Sequence, residues 1–180
     1  MKTFSLLIIT LLSVLPFTSA NANLLVNGNF ELPHVANGTF RIFKNIPGWT
    51  TVSGAGIEVQ FQSAGAPFDG NQLVELDSTN NSRMQQTVAT VAGKRYLLYV
   101  AHSPRPGLPA SSSGIQVLFN GAVLGTLQAD GTGLANTLWN NKIVWVVTPT
   151  VNNSTVEFRA VGASDGAGAY IDDVILAPAD

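Results

Sequence analysis

Polar and apolar residues alternate along this chain in short runs, and a helical period is almost absent. Alternating or β-branched stretches are bounded by Gly, Pro, Asn and Ser clusters, which is how short strands read. The pattern predicts strands at about 24–30, 39–46, 57–61, 72–77 and 83–90. Further strands are expected at about 95–101, 114–119, 122–127, 142–148, 155–161 and 169–176. Asn120-Gly121, between two apolar runs, is a two-residue hairpin signal. Asp69-Gly70, Ala92-Gly93 and Asp130-Gly131 punctuate the chain in the same way. The run from Arg83 to Val88 is mostly polar, so one face of that strand should meet solvent. Tyr96 to Val100 is apolar on both faces and belongs inside a sheet. Many short strands without helices mean two antiparallel sheets, closed as a sandwich or a barrel.

The last run, "AYIDDVIL", sets a puzzle. Neighbouring residues of a strand point to opposite faces, so at least one of Asp172 and Asp173 should point inward and need a partner.

Composition narrows the setting. Lys2, an apolar run from Leu6 to Phe17 and the small-residue end Ala20-Asn21-Ala22 read as a secretory signal peptide over 1–22. That run is too short for a membrane span, and no later stretch is apolar enough for one. The expected mature chain, 23–180, is a single domain that is secreted, to the medium or the periplasm. There is no cysteine, so disulfides, thiolate metal sites and cysteine nucleophiles are excluded. A net charge of −2, with 11% charged residues and no basic cluster, argues against nucleic acid and against membrane surfaces.

Several stretches carry a resemblance when taken in order. They are "NLLVNGNFELP" (23–33), "IPGW" (46–49), "IEV" (57–59), "FDGNQLVELD" (68–77), "MQQTVATVAGKRYLLYVAHSPRPG" (84–107) and the closing "TVEFRAVGASDGAGAYIDDVIL". Together they resemble the domain-of-unknown-function 642 family, secreted proteins of plant cell walls and bacteria. The resemblance covers essentially the whole of 23–180 and implies an all-β, two-sheet antiparallel β-sandwich, a galactose-binding-like jelly roll. In related jelly rolls the first and last strands lie side by side and hold a structural calcium ion. The positions matching its carboxylate ligands are Glu31 and Asp172, with Asn29, Asp173 or Asp77 as further oxygens. Calcium suits such a set, because it takes six to eight oxygen ligands. The alternative is that Asp172 caps backbone amides or pairs with an arginine.

Catalytic signals are weak. His34 and His102 stand in no metal-binding pattern, and no GxSxG elbow is present. Glu58 and Glu75 are a conceivable acid pair for glycoside hydrolysis, but read better as outward polar residues or acceptors for sugar hydroxyls. Of the three tryptophans, Trp145 in "IVWVV" reads as core, Trp49 as a plug at the sandwich edge, and Trp139 as the exposed ring. "HSPRPG" (102–107) is a loop stiffened by two prolines, with Arg105 offering a planar fork of donors or pairing to a local acid.

The expectation is therefore a secreted, non-catalytic carbohydrate-binding module for a cell-wall type polysaccharide. Its candidate ligand contacts are Glu58, Glu75, Arg83, Gln85, His102, Arg105 and Trp139. An extracellular protein-interaction or adhesion module is the second reading, and a polysaccharide hydrolase the third.

Overall fold

A computed structural model describes residues 23–140 and 143–179. The expected leader and the start of the strand at 142 lie outside the described residues. Among the described residues there are twelve strands: β1 (Thr39–Phe43), β2 (Asn45–Ile46), β3 (Trp49–Ser53), β4 (Ile57–Phe61), β5 (Gln72–Glu75) and β6 (Arg83–Ala89), then β7 (Tyr96–Ser103), β8 (Ile115–Phe119), β9 (Ala122–Leu127), β10 (Ile143–Val147), β11 (Asn153–Ala160) and β12 (Tyr170–Pro178). They form two six-stranded antiparallel sheets. The first runs β1-β4-β5-β12-β7-β10 and the second β2-β3-β6-β11-β8-β9.

Alternation assigns the faces. Ile57, Val59, Val74, Leu98, Val100 and Ile171 point inward from the first sheet, against Met84, Val117, Val156 and Phe158 from the second. Trp49 is 1% exposed, its ring centroid 5.7 Å from both Phe30 and Phe158. Each such buried side chain contributes about 1.5–3 kcal/mol over an exposed one. Arg83, Gln85 and Thr87 point outward from β6 as the polar pattern predicted, and β7 is paired on both sides. Asn120 and Gly121 both take positive φ (49° and 80°), the geometry of the tight β8–β9 hairpin.

Three expectations need correction. Residues 24–30 form turns rather than a strand, because Asn27 and Phe30 sit at φ 54° and 53°. The Asn27 side chain stabilises the turn, accepting from the Leu32 amide and donating to the Leu32 carbonyl. This segment still lies against β12: Leu24 donates to the Leu176 carbonyl, and Val174 donates to Gly28. Gly28 is required there, since a Cβ would fall 2.1 Å from the Val174 oxygen. The predicted strand at 39–46 is broken at Lys44 into β1 and β2, which join different sheets. The short strand β3, which opens at Trp49, was not among the expected strands.

The structure also resolves the double aspartate. Asp172 pairs with Ala101 and Ile175 with Tyr99, so the register shifts between them. Asp173 occupies the bulge at φ 45°. The extra residue lets Ile171, Val174 and Leu176 all reach the core. Asp172 points away from the core, yet it is 0% exposed because a loop covers it.

Candidate functional site

The outer face of the first sheet carries a polar row. Glu58 stands opposite Glu75, Glu75 opposite Tyr170, and Tyr170 opposite Ser103. All four are nearly sealed from solvent, at 4%, 0%, 0% and 0% exposure. Their cover is made by two connections, 62–71 after β4 and 128–140 before β10.

Specific bonds hold this roof down. Asp172 Oδ2 accepts the Phe68 and Asp69 amides at 2.9 and 3.1 Å, and its Oδ1 accepts the Asp173 amide at 2.7 Å. Glu31 Oε1 accepts the Asn71 and Gln72 amides at 2.7 and 2.9 Å. The second connection locks onto the first through the Ala66 carbonyl, which accepts from Thr137 Oγ1 and Trp139 Nε1 at 2.8 and 2.9 Å. Leu138 donates to Ser103 Oγ on the sheet below. Phe68 and Trp139 pack edge to face, 5.8 Å between centroids. Where the two connections meet, an open cleft of about 570 Å³ is lined by Gln62 to Ala66, Ala135 and Asn136. Its lining is neutral, made of amide, hydroxyl and small side chains.

Beneath lies a charged network. Gln60 Nε2 donates to Glu58 Oε1 and Glu75 Oε2, both at 2.8 Å. Arg105 Nη1 reaches Glu75 Oε2 at 2.7 Å, and the Gly168 amide donates to Glu75 Oε1 at 2.7 Å. Burial pushes Glu75 up to about 8, against the pull of Arg105 and with the nearby Glu58 charge adding to the rise. Glu58 is raised too, chiefly by burial. Burial works to lower Arg105, but the carboxylates of Glu75 and Glu58 outweigh it and keep the guanidinium ionised. Two facing carboxylates bridged by Gln60, with one guanidinium at Glu75, retain a proton that isolated acids would lose.

No protein-family model matches the chain. Over 156 residues, 85% of its length, it is 28% identical to a multifunctional-autoprocessing repeats-in-toxin protein of Vibrio cholerae. It is 27% identical to the corresponding protein of Vibrio vulnificus. The chain spans only 3% of the length of each. Among solved structures, an arabinose-bound α-L-arabinofuranosidase superposes with a TM-score of 0.59 at 18% identity, over 88% of this chain and 26% of that one. The cleaved adhesin domain K2 of Lys-gingipain gives 0.53 at 16% identity, covering 88% and 98%. The carbohydrate-binding module TmCBM61, in complex with β-1,4-galactotriose, gives 0.50 at 16% identity, covering 88% and 99%. What these share with the chain is the jelly-roll sandwich.

The predicted contacts separate within this fold. Glu58, Glu75 and Arg105 come together as described, and Trp139 stands beside the cleft, half-buried, its indole N–H held by Ala66. Arg83 and Gln85 do not join them. They lie on the outer face of the second sheet, where Arg83 and Arg159 flank Glu157. His102 points into the core at 0% exposure, and burial lowers it to about 4, with the Ser113 backbone opposing. It has no path to a ligand. Arg105 pairs with the local acid, so replacing it removes the counter-charge of a buried carboxylate and costs stability.

Sequence reasoning missed Gln60, Tyr170 and the 62–66 cleft wall. "IEVQF" did carry a signal for Gln60, which alternation puts on the same face as Glu58. Nothing local marks 62–66, whose role depends on a segment about seventy residues later.

The expected calcium ligands are also located. Asp172 and Glu31 both grip the five-residue stretch from Phe68 to Gln72, and their oxygens accept five backbone amides. Glu31 Oε2 and one lone pair of Asp172 Oδ1 stay open to an ion, which would need carbonyls to complete its shell. Asn29 is exposed. Burial raises Asp172 to about 7, opposed by the amides of Asp69, Asp173 and Phe68.

Proposed function

We propose that the chain is an exported, non-catalytic carbohydrate-binding module that takes a neutral glycan in the cleft between 62–66 and 135–136. The observation carrying this is the cleft itself: open, uncharged, lined by amides and hydroxyls, and flanked by the Trp139–Phe68 pair. Amides and hydroxyls match sugar hydroxyls, and Trp139, bonded to Ala66 of the cleft wall, stands close enough to offer a surface for the C–H face of a sugar ring. A non-catalytic role is supported by the state of Glu58 and Glu75, which are sealed and committed to Gln60, Arg105 and Gly168. β-1,4-Galactotriose, the ligand of the similar module, is the first probe. Saturable calorimetric binding of a neutral oligosaccharide, weakened in Trp139→Ala or Asn136→Ala, supports the reading. Binding untouched by both variants overturns the site. A structural calcium ion on Glu31 and Asp172 belongs to the same proposal, since both carboxylates clamp the roof. Chelation should then lower the melting temperature, and Asp172→Asn should remove that response.

A second reading, an extracellular protein-interaction module, is favoured by β10. It is an edge strand, with Val144 and Val146 49% and 57% exposed. Saturable binding to a protein partner that free sugar does not compete, and that Val146→Lys abolishes, would support it.

A further inference from the structure

Among the described residues each sheet ends in two edge strands, and three of these four edges carry a feature that blocks further pairing. β1 sets the exposed Arg41 at its centre. β2 has only two residues. β9 is bulged at Leu124, where its register against β8 shifts. β10 has none of these. It is five residues long, without charge or proline, and pairs with β7 in unbroken register from Ile143–Val100 to Val147–Tyr96. Among the described residues β7 is its one strand neighbour, so alternate backbone N–H and C=O groups along its outer edge lack a strand to bond.

The side chains around this edge are apolar as well. Val144 and Val146 point out from the first sheet, 49% and 57% exposed, beside the half-buried Tyr99 and Leu97 of β7. Next to Val146 an open groove of about 320 Å³ is lined by residues of the β8–β9 hairpin and by 146–150, none of them charged. No side chain from 143 to 151 carries a charge. A charged partner therefore gains nothing along this edge.

The order of residues in the strand names what fits it. "IVWVV" reads nearly the same in both directions about Trp145. Under a twofold axis through Trp145, perpendicular to the sheet, a second copy of β10 lies antiparallel to the first. Ile143 then falls opposite Val147 of the second copy, Val144 opposite Val146, and Trp145 opposite Trp145. Every facing pair is β-branched or aromatic, the kinds that stabilise cross-strand contacts. Lys142, next in sequence, falls opposite Thr148 rather than its own copy, so like charges do not oppose each other. An isologous pairing of this kind uses up the edge on both chains and closes at two.

We propose that β10 pairs antiparallel with β10 of a second copy, joining the two first sheets into one across a homodimer. The proposal rests on the edge strand of the interaction-module reading and names its partner as the chain itself. It does not depend on the glycan cleft. Both roofed faces then look the same way.

The test is sedimentation equilibrium of the purified chain alone, without sugar or another protein. Small interfaces are transient, so the mass should rise from one chain to two as concentration passes through about 1 μM to 1 mM. Val144→Lys and Val146→Lys change exposed positions and should each weaken the dimer at least about tenfold, with the melting temperature of the dilute chain unchanged. The double variant Val144→Lys/Val146→Glu sets opposite charges across the twofold and should recover pairing. Phe40→Lys, an exposed change at the far edge of the same sheet, should leave the mass unaltered. A single-chain mass at about 1 mM overturns the proposal, as does a mass beyond two chains. So does a dimer that survives both lysine variants, one that is lost with Phe40→Lys, or a double variant as weak as the single ones. A chain that stays single, yet binds another protein through Val146, overturns self-pairing and keeps the interaction-module reading.

Discussion

The two outer faces of the sandwich start from the same kind of sequence and end enclosed to different degrees. On the first sheet, "IEVQF" and "QLVE" place Glu58, Gln60 and Glu75 outward. On the second, "RMQQT" and "STVEFR" do the same for Arg83, Gln85, Glu157 and Arg159. Yet Glu75 is 0% exposed beside an arginine whose side chain is 27% exposed. Glu157 keeps 9% of its side chain in solvent, and the Arg83 and Arg159 that flank it keep 34% and 32%. The first face is roofed by the connections 62–71 and 128–140, and the second is half-buried, with its arginines reaching solvent. The Glu157 pairs are partly screened, because water reaches their arginine partners. The same chemistry under a roof must be fully matched, because desolvation makes each missing partner expensive. The difference shows that outward polar residues become a site only where loops close over them.

The largest expected effect separates the two carboxylates. Glu75→Ala should cost about 3 kcal/mol or more, since it leaves Arg105, Gln60 and the Gly168 amide without their acceptor. Glu157→Ala on the second face should cost about 1 kcal/mol or less. Denaturant unfolding of both variants gives the comparison, and equal losses would break it.

The pH profile sharpens the same contrast. Glu75 is raised from 4.5 to about 8 and Asp172 from 3.8 to about 7. Between those limits the native state holds protons that the unfolded chain has lost, so stability falls as pH rises. His102 works the other way: lowered from 6.5 to about 4, it favours folding as pH rises through that interval. The net fall should therefore be shallow below pH 6.5 and steepest between about 6.5 and 7, at roughly 1.4 kcal/mol per pH unit for each proton retained. Glu75→Gln should flatten the limb up to pH 8. Melting temperatures across pH 5 to 8 test this, and stability rising steadily over the interval would contradict it.

On the binding side, Trp139→Ala should weaken retention of a neutral oligosaccharide by about tenfold, near 1.4 kcal/mol. Arg83→Ala and Gln85→Ala should leave it unchanged, because both side chains lie on the opposite sheet. Affinity electrophoresis on immobilised polysaccharide ranks the three. The smallest effect belongs to the second face: Thr87 and Thr155 share a hydroxyl bond of 2.7 Å in solvent, and Thr87→Ala should shift stability by about 0.5 kcal/mol or less.

Much of the fold was legible because its signals are local. The Asn120-Gly121 hairpin, the half-polar strand at Arg83 and the inward face of β7 follow from turn chemistry and alternation. The N-terminal segment misled because its apolar content was read as strand, whereas Asn27 bonds its own neighbourhood into a turn. "IDDV" was legible as a conflict but not as a bulge, since a bulge is defined only by the register of the partner strand. His102 looked like a loop residue available for binding, yet it lies inside β7, one residue before its end, with its ring on the core side.

The sequence by itself determined which residues of each strand face in and which face out, and hence two sheets packed on one apolar core. Alternation is a property of the strand alone, so it needs no knowledge of partners. Only the tertiary structure decided which outer face would be enclosed. The bonds that enclose it join residues distant in the chain: Asp172 with Phe68 across 104 positions, Trp139 with Ala66 across 73, Arg105 with Glu75 across 30. Whether a polar side chain is solvated or buried depends on those closures, and desolvation then turns an ordinary surface glutamate into one that keeps its proton near neutral pH.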